Sequence, residues 1–169
     1  GISCLEYNDG KVSLVYGFSQ AASGGLFLPF NDVNTVYEDT YGNFWFGTNG
    51  GGLYCWNEET MQTLSFMEEN GLPSRVVYGI IEDGADNLWI ALDKGLSRFS
   101  MTDRRFTTYL EDDGLLCSSF SECRPFRVRD DLYFGTTHGI VWFCPDSLDV
   151  IEYKPSVLLT DFRISNRSV

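Results

Sequence analysis

Side chains able to do acid–base, nucleophilic or metal chemistry are scattered through this sequence rather than gathered in one motif. His138 is the only histidine. Within Thr136-Thr137-His138-Gly139 it reads as part of a surface hairpin, which favours a solvated imidazole over a general base or metal ligand. Five cysteines, Cys4, Cys55, Cys117, Cys123 and Cys144, are odd in number and irregular in spacing. They form no CxxC pair, and one histidine cannot complete a zinc set with them. They are expected to be buried free thiols packing as small hydrophobes, with a Cys117–Cys123 disulfide open in an oxidising compartment. Glu68-Glu69 and Asp112-Asp113 supply adjacent acids, and glycoside cleavage needs converging carboxylates. No motif singles out a pair, however, and both runs read as solvated turns. No catalytic residue, metal site or cofactor is assigned.

The elements that would position these groups follow from composition and repetition. The chain has 169 residues, 43% hydrophobic and 15% aromatic, enough for a sizeable core and weighted toward strands. Its formal net charge is −12. The one dense basic run, Arg124, Arg127 and Arg129, is followed at once by Asp130 and Asp131. Binding a phosphate backbone needs clustered cations, so nucleic acid and an anionic membrane surface are not expected partners. No apolar run approaches the ~20 residues that span a bilayer. The opening Gly1-Ile2 falls in mid-pattern without an initiator Met, which reads as a piece of a longer chain.

A 44-residue repeat organises the sequence. Glu38-Asp39-Thr40-Tyr41-Gly42-Asn43-Phe44-Trp45 is echoed by Glu82-Asp83-Gly84-Ala85-Asp86-Asn87-Leu88-Trp89, and more weakly by Arg129-Asp130-Asp131-Leu132-Tyr133. Trp45, Trp89 and Tyr133 are each 44 residues apart. Each unit splits into four strand signals; in the second they are Arg75–Ile81, Leu88–Leu92, Leu96–Phe99 and Arg105–Leu110. Leu88, Ile90 and Leu92 alternate with Trp89 and Ala91, so both faces of the sheet are apolar and must stack between neighbours. Four-stranded units of ~40–50 residues that stack in this way indicate an all-β fold, a β-propeller of antiparallel blades. Asp39 and Asp83 can accept backbone N–H groups across the following turn, and Gly42 supplies a positive φ. Asn43 and Asn87 are expected to tolerate a similar conformation, and each Trp to wedge between blades. These are structural rather than catalytic roles.

The expected divisions are an outer half-blade at 1–17, a connection at 18–30, blades at 31–73, 74–119 and 120–154, and a different segment at 155–169. About three and a half blades cannot close a ring alone, since propellers use roughly 4–8. The missing blades then belong to the parent protein, and the isolated fragment is expected to self-associate. Turns between second and third strands share one rim with the blade-to-blade connections, the usual side for binding. Candidate ligand-binding residues there are Arg75, Asn49, Lys94, Ser74 and His138. Arg75 ranks first because it abuts the start of a strand; Arg75 or Lys94 would pair with an acidic sugar.

The stretches EDTYGNFWFGTNGGGL and EDGADNLWIALDKGLSRF resemble two-component regulator propeller repeats from the ectodomains of bacterial hybrid sensor kinases. LYFGTTHGIVWFCPDSLDV looks like the last blade of such a propeller, and KPSVLLTDFRISNRSV like the first strand of the immunoglobulin-like (Y_Y_Y-type) domain that follows it. The resemblance implies a periplasmic, non-catalytic sensor module, anchored by transmembrane helices elsewhere, that detects an oligosaccharide and signals to a histidine kinase. Its partners would be that ligand, the remaining blades and the immunoglobulin-like domain, without direct membrane contact. The alternatives are a propeller enzyme, lyase or glycan hydrolase, and a protein-binding scaffold.

Overall fold

The computed structural model describes residues 1–19, 26–27, 32–148, 163–164 and 167–168. Fourteen strands form four antiparallel sheets in chain order, apart from one short parallel pairing. The first sheet holds β1 (Ile2–Asn8), β2 (Lys11–Ser19) and β3 (Leu26–Phe27). The first full blade is β4 (Val33–Glu38), β5 (Asn43–Thr48), β6 (Leu53–Asn57) and β7 (Gln62–Phe66). The second is β8 (Val77–Glu82), β9 (Asn87–Leu92), β10 (Gly95–Ser100) and β11 (Arg105–Tyr109). The third contributes β12 (Phe126–Val128), β13 (Asp131–Thr136) and β14 (Gly139–Phe143). Its expected fourth strand falls at 149–154, outside the described residues. So does most of 155–169, where only β15 (Arg163–Ile164) and β16 (Arg167–Ser168) are described, paired as a hairpin.

The connection expected at 18–30 is partly sheet. β2 runs on to Ser19, and Phe18 and Ser19 pair in parallel with Leu26 and Phe27. The cause is Phe18, which is buried between blades with its ring 5.1 Å from Phe46 and 5.0 Å from Trp56.

Three hydrophobic layers lie between four sheets, so the alternation in the inner strands of the two full blades serves two interfaces. Leu88, Ile90 and Leu92 face the first full blade with Trp45, Phe66 and Phe99. Trp89 and Ala91, from the same strand, face the third blade with Leu132 and Phe134. Phe46, Tyr54 and Trp56 face the N-terminal hairpin. Gly47 marks a close approach of the first two full blades: a Cβ there would lie 2.5 Å from Cγ1 of Val77.

Each Asp–Trp hairpin is held by a single carboxylate. Oδ1 of Asp83 accepts the N–H groups of Ala85 (2.8 Å) and Asn87 (3.1 Å), while Oδ2 accepts Nε1 of Trp89 (2.8 Å) and Nδ2 of Asn87 (3.0 Å). Asp39 repeats the pattern with Tyr41, Asn43 and Trp45. The asparagines therefore do not take the left-handed conformation expected of them. That conformation falls one residue earlier, at Gly42 (φ 76°) and Asp86 (φ 58°), which frees Asn43 and Asn87 to donate to the carboxylate.

Polar stitches differ between interfaces. Between the first two full blades, Asn34 donates to the Val77 carbonyl (3.0 Å), and Thr40 donates N–H and hydroxyl to Glu82 (2.9 and 2.7 Å). Tyr41 donates its hydroxyl to Asp86 (2.9 Å). The counterparts 44 residues on are Tyr78, Gly84 and Ala85, which make none of these bonds.

The two outermost faces are open. At one end Leu5, Tyr7, Val12 and Leu14 are exposed on one side of the β1–β2 hairpin. At the other, half-buried Tyr133 stacks on Phe126 (4.9 Å) and Trp142 (6.0 Å), and Trp142 is 61% exposed. All five cysteines are free, and the expectation of uniformly buried thiols fails: only Cys55 is buried, Cys4 and Cys123 are exposed, and Cys117 and Cys144 lie between. Cys55 sits in a two-sided strand, where burial pushes its thiol up to about 12.

Replacing Asp83 by Ala strands the buried Nε1 of Trp89 and loosens the turn that carries it. The expected loss is about 3 kcal/mol or more, from unsatisfied donors at ~1–3 kcal/mol each. Urea unfolding monitored by tryptophan fluorescence would read it as a lowered midpoint at unchanged slope. A loss below about 1 kcal/mol would remove the carboxylate from its structural role.

A candidate ligand-binding rim

The second-to-third-strand turns and the blade-to-blade connections meet along one edge because main-chain hydrogen bonds tie them together. The carbonyl of Arg75 accepts the N–H groups of Gly50 (3.0 Å) and Gly52 (2.9 Å). In the next blade the Ser118 carbonyl accepts Gly95 N–H (2.8 Å), and in the third the Ser119 carbonyl accepts Thr137 N–H (3.1 Å). Each connection begins with a short 3-10 turn, Glu68–Asn70 and Glu111–Asp113. In both, a side-chain oxygen, from Asn70 or Asp113, accepts the N–H of the residue before the turn. Both turns end on a left-handed glycine, Gly71 or Gly114, at φ 94°.

The five candidate residues sit along this edge in different states. Arg75 has its carbonyl held by Gly50 and Gly52, and its guanidinium is paired with Glu68, Nε to Oε2 at 3.0 Å. Ser74 is buried, and its hydroxyl accepts Val76 N–H (3.1 Å), so it shapes the connection from within. Asn49 is exposed and donates Nδ2 to Asp32 (2.9 Å). His138 is exposed, with Nδ1 2.9 Å from the Thr137 hydroxyl and 3.8 Å from Sγ of Cys117.

Lys94 stands apart from the other four. It lines a cleft of about 360 Å³ with Asp93, Glu111, Asp112, Ser118 and Ser119, and makes no ion pair among the described residues. Oδ1 of Asp93 is buried there without a hydrogen-bond partner. The exposed side chains that the cleft presents to a hydroxyl-bearing guest include those of Lys94, Asp112 and Ser119.

Glu111 and Ser119 belong to this cleft and were not among the sequence candidates. The signal for Glu111 was present: Glu68 and Glu111 open equivalent turns, and their partners Arg75 and Ser118 hold equivalent places seven residues on. The side chain of Ser118 donates to Glu111 (2.7 Å), and its N–H adds a longer bond (3.3 Å). These two bonds hold the Glu111 carboxyl below its ordinary range. Three acids of the rim are thus occupied: Glu68 by Arg75, Glu111 by Ser118, and Asp113 by the N–H of Leu110. Among the described residues no His, Cys, Asp and Glu cluster could hold a metal ion, and no helix is long and apolar enough to cross a membrane.

Comparison with known proteins adds kinship to this geometry. The pattern of the two-component regulator propeller matches residues 28–50 and 71–94. Over 139 residues, 82% of the chain, the sequence is 35% identical to Histidine kinase P4 of Formosa agariphila, and it spans only 10% of that protein. The fold is similar to that of the extracellular domain of BT3049, assigned to a hybrid two-component system of B. thetaiotaomicron. There the TM-score is 0.71 at 24% identity, over 93% of this chain and 22% of that one. It is also similar to a catalytically inactive virginiamycin B lyase from Staphylococcus aureus, with a TM-score of 0.54 at 18% identity, over 83% of this chain and 47% of that one.

Lowering the pH should show the rim bond directly. The Glu111 carboxyl is expected to titrate below the usual carboxylate range by NMR, and the Ser118→Ala variant to return it toward that range. Its contribution to stability is present above the ordinary carboxylate pKa and lost as pH falls through the depressed one. An unshifted midpoint in the unaltered protein would contradict the hydrogen-bonded arrangement.

Proposed function

The chain belongs to the two-component regulator propeller repeats, and from this premise we propose that it is part of the extracytoplasmic sensor module of a hybrid two-component system. The observation that carries the reading is the repeat itself, matched in two blades and embedded in a sequence 35% identical to a histidine kinase. The ligand is an oligosaccharide bound at the rim, where Lys94, Asp112, Ser118 and Ser119 offer donors and acceptors for hydroxyl groups. The module is non-catalytic. Of its rim acids, Glu68, Glu111 and Asp113 are already engaged by Arg75, Ser118 and the Leu110 N–H, which favours binding over general acid–base chemistry. Ligand alters the packing between propeller and neighbouring domains, and so biases a two-state arrangement that the kinase reads.

A thermal-shift screen of oligosaccharides against the intact protein tests this reading. A ligand that binds the native state must raise its apparent stability. A selective shift with one glycan class, reduced in Lys94→Ala, is expected. Absence of any shift across neutral and acidic glycans would overturn the carbohydrate reading in favour of a protein ligand.

The open apolar faces are covered by neighbouring blades in the parent protein. When the 169-residue chain is made alone, sedimentation at micromolar concentration should show associated species. A monodisperse monomer would disprove self-association.

A further inference from the structure

The dense basic run of this acidic chain, Arg124, Arg127 and Arg129, lies away from the rim, beside the hairpins that join first to second strands. Strand register identifies what Arg127 replaces. Glu38 opposes Phe44 in the first full blade, Glu82 opposes Leu88 in the second, and Arg127 opposes Leu132 in the third. Arg127 therefore stands in the place of Glu82, and Val128 in that of Asp83.

Glu82 has a defined task in its own interface. It reaches back one blade and accepts the N–H and hydroxyl of Thr40 at 2.9 and 2.7 Å. The counterpart of Thr40 is Gly84, which keeps the N–H, has no hydroxyl and meets a cation instead of a carboxylate. A Cβ built on Gly84 would lie 3.5 Å from Nη2 of Arg127. Donor faces donor where, one blade earlier, donor faces acceptor. The cleft at this point has a volume of about 420 Å³, and Arg124, Arg127, Phe126, Tyr37 and Glu82 are among its walls.

The acids nearby do not fill the gap. Glu82 is taken by Thr40, and Asp83 by its own turn and Trp89. Asp130 is 3.8 Å from Nη2 of Arg127 on the solvent side, with its side chain 83% exposed. Nε of Arg127 donates to the carbonyl of Arg129 (2.7 Å), and Arg124 is exposed with no ion pair among the described residues.

We propose that this cleft binds the carboxylate or sulfate-ester group of a small ligand, in the place that the Glu82 carboxylate fills one interface earlier. The guanidinium groups of Arg124 and Arg127 supply charge-assisted hydrogen bonds, for which planar oxyanions are the matching acceptors. The N–H of Gly84 adds a donor. The site is separate from the rim and does not depend on what the rim binds.

The test is calorimetric titration of the intact protein with trigalacturonic acid, inorganic sulfate and neutral maltotriose. At least one of the two anions is expected to bind, more weakly as ionic strength rises, and maltotriose is not expected to bind this cleft. Arg124→Gln, an exposed substitution, should weaken anion binding about tenfold or more. Arg127→Glu, which restores the internal carboxylate, should abolish it while the protein stays folded. Binding of the trisaccharide alone assigns a carboxylate, and binding of sulfate assigns a sulfate ester. The proposal is overturned if neither anion binds, or if anion binding is the same in Arg124→Gln and Arg127→Glu as in the unaltered protein.

Discussion

The blades depend on the bonds made by one side chain. In each of the first two full blades a single aspartate, Asp39 or Asp83, turns one carboxylate oxygen to the main chain of the following hairpin and the other to an indole N–H. The first oxygen fixes the turn between the two inner strands. The second lets a tryptophan lie fully in the interface without leaving its polar atom unpaired. Local and tertiary order are thereby coupled: Trp89 is completely buried only because the turn that starts six residues earlier presents an acceptor to it.

The third blade lacks this device, and its structure shows the difference. Val128 replaces the aspartate, Tyr133 replaces the tryptophan, and the hairpin shrinks to Arg129-Asp130 with Arg129 in a left-handed conformation (φ 55°). Tyr133 is half-buried and stacks on Phe126 and Trp142 rather than under a neighbouring sheet. The interface behind it also lacks the three polar stitches present between the first two full blades. Stacked repeats draw stability from their nearest neighbours, so these two interfaces contribute unequally, the second resting on aromatic packing such as Trp89 against Phe143 at 4.8 Å.

Much of this was legible in the sequence because the repeat exposes it. The four-stranded blades, the two-faced strand around Trp89 and the structural duty of Asp39 and Asp83 all follow from residue types at fixed spacing. Side-chain pairing was less legible. Arg75 has a fixed main chain, but only the folded connection brings Glu68 seven residues back onto its guanidinium. The cysteines were misjudged because strand edges, not residue type, decide exposure: Cys55 is flanked by blades on both sides, while Cys4 lies on the exposed terminal hairpin. A strict 44-residue count also misaligns the third inner strand, whose shorter hairpin moves it by one position. Only the pairing of Arg127 with Leu132 shows that a cation occupies a carboxylate's place.

The exposed faces at the two ends of the array are chemically unlike. One presents the aliphatic-rich set Leu5, Tyr7, Val12 and Leu14, the other the aromatic ladder Phe126, Tyr133 and Trp142. A two-fold axis would have to bring like against like, ladder on ladder. Joining the unlike ends instead is a heterologous contact, repeated by every added copy with the same rotation. Copies joined in this way either close into a ring when the rotations sum to a full turn or continue without end as a filament. The two ends of the described array are thus unlike, and growth through contacts between them has a direction.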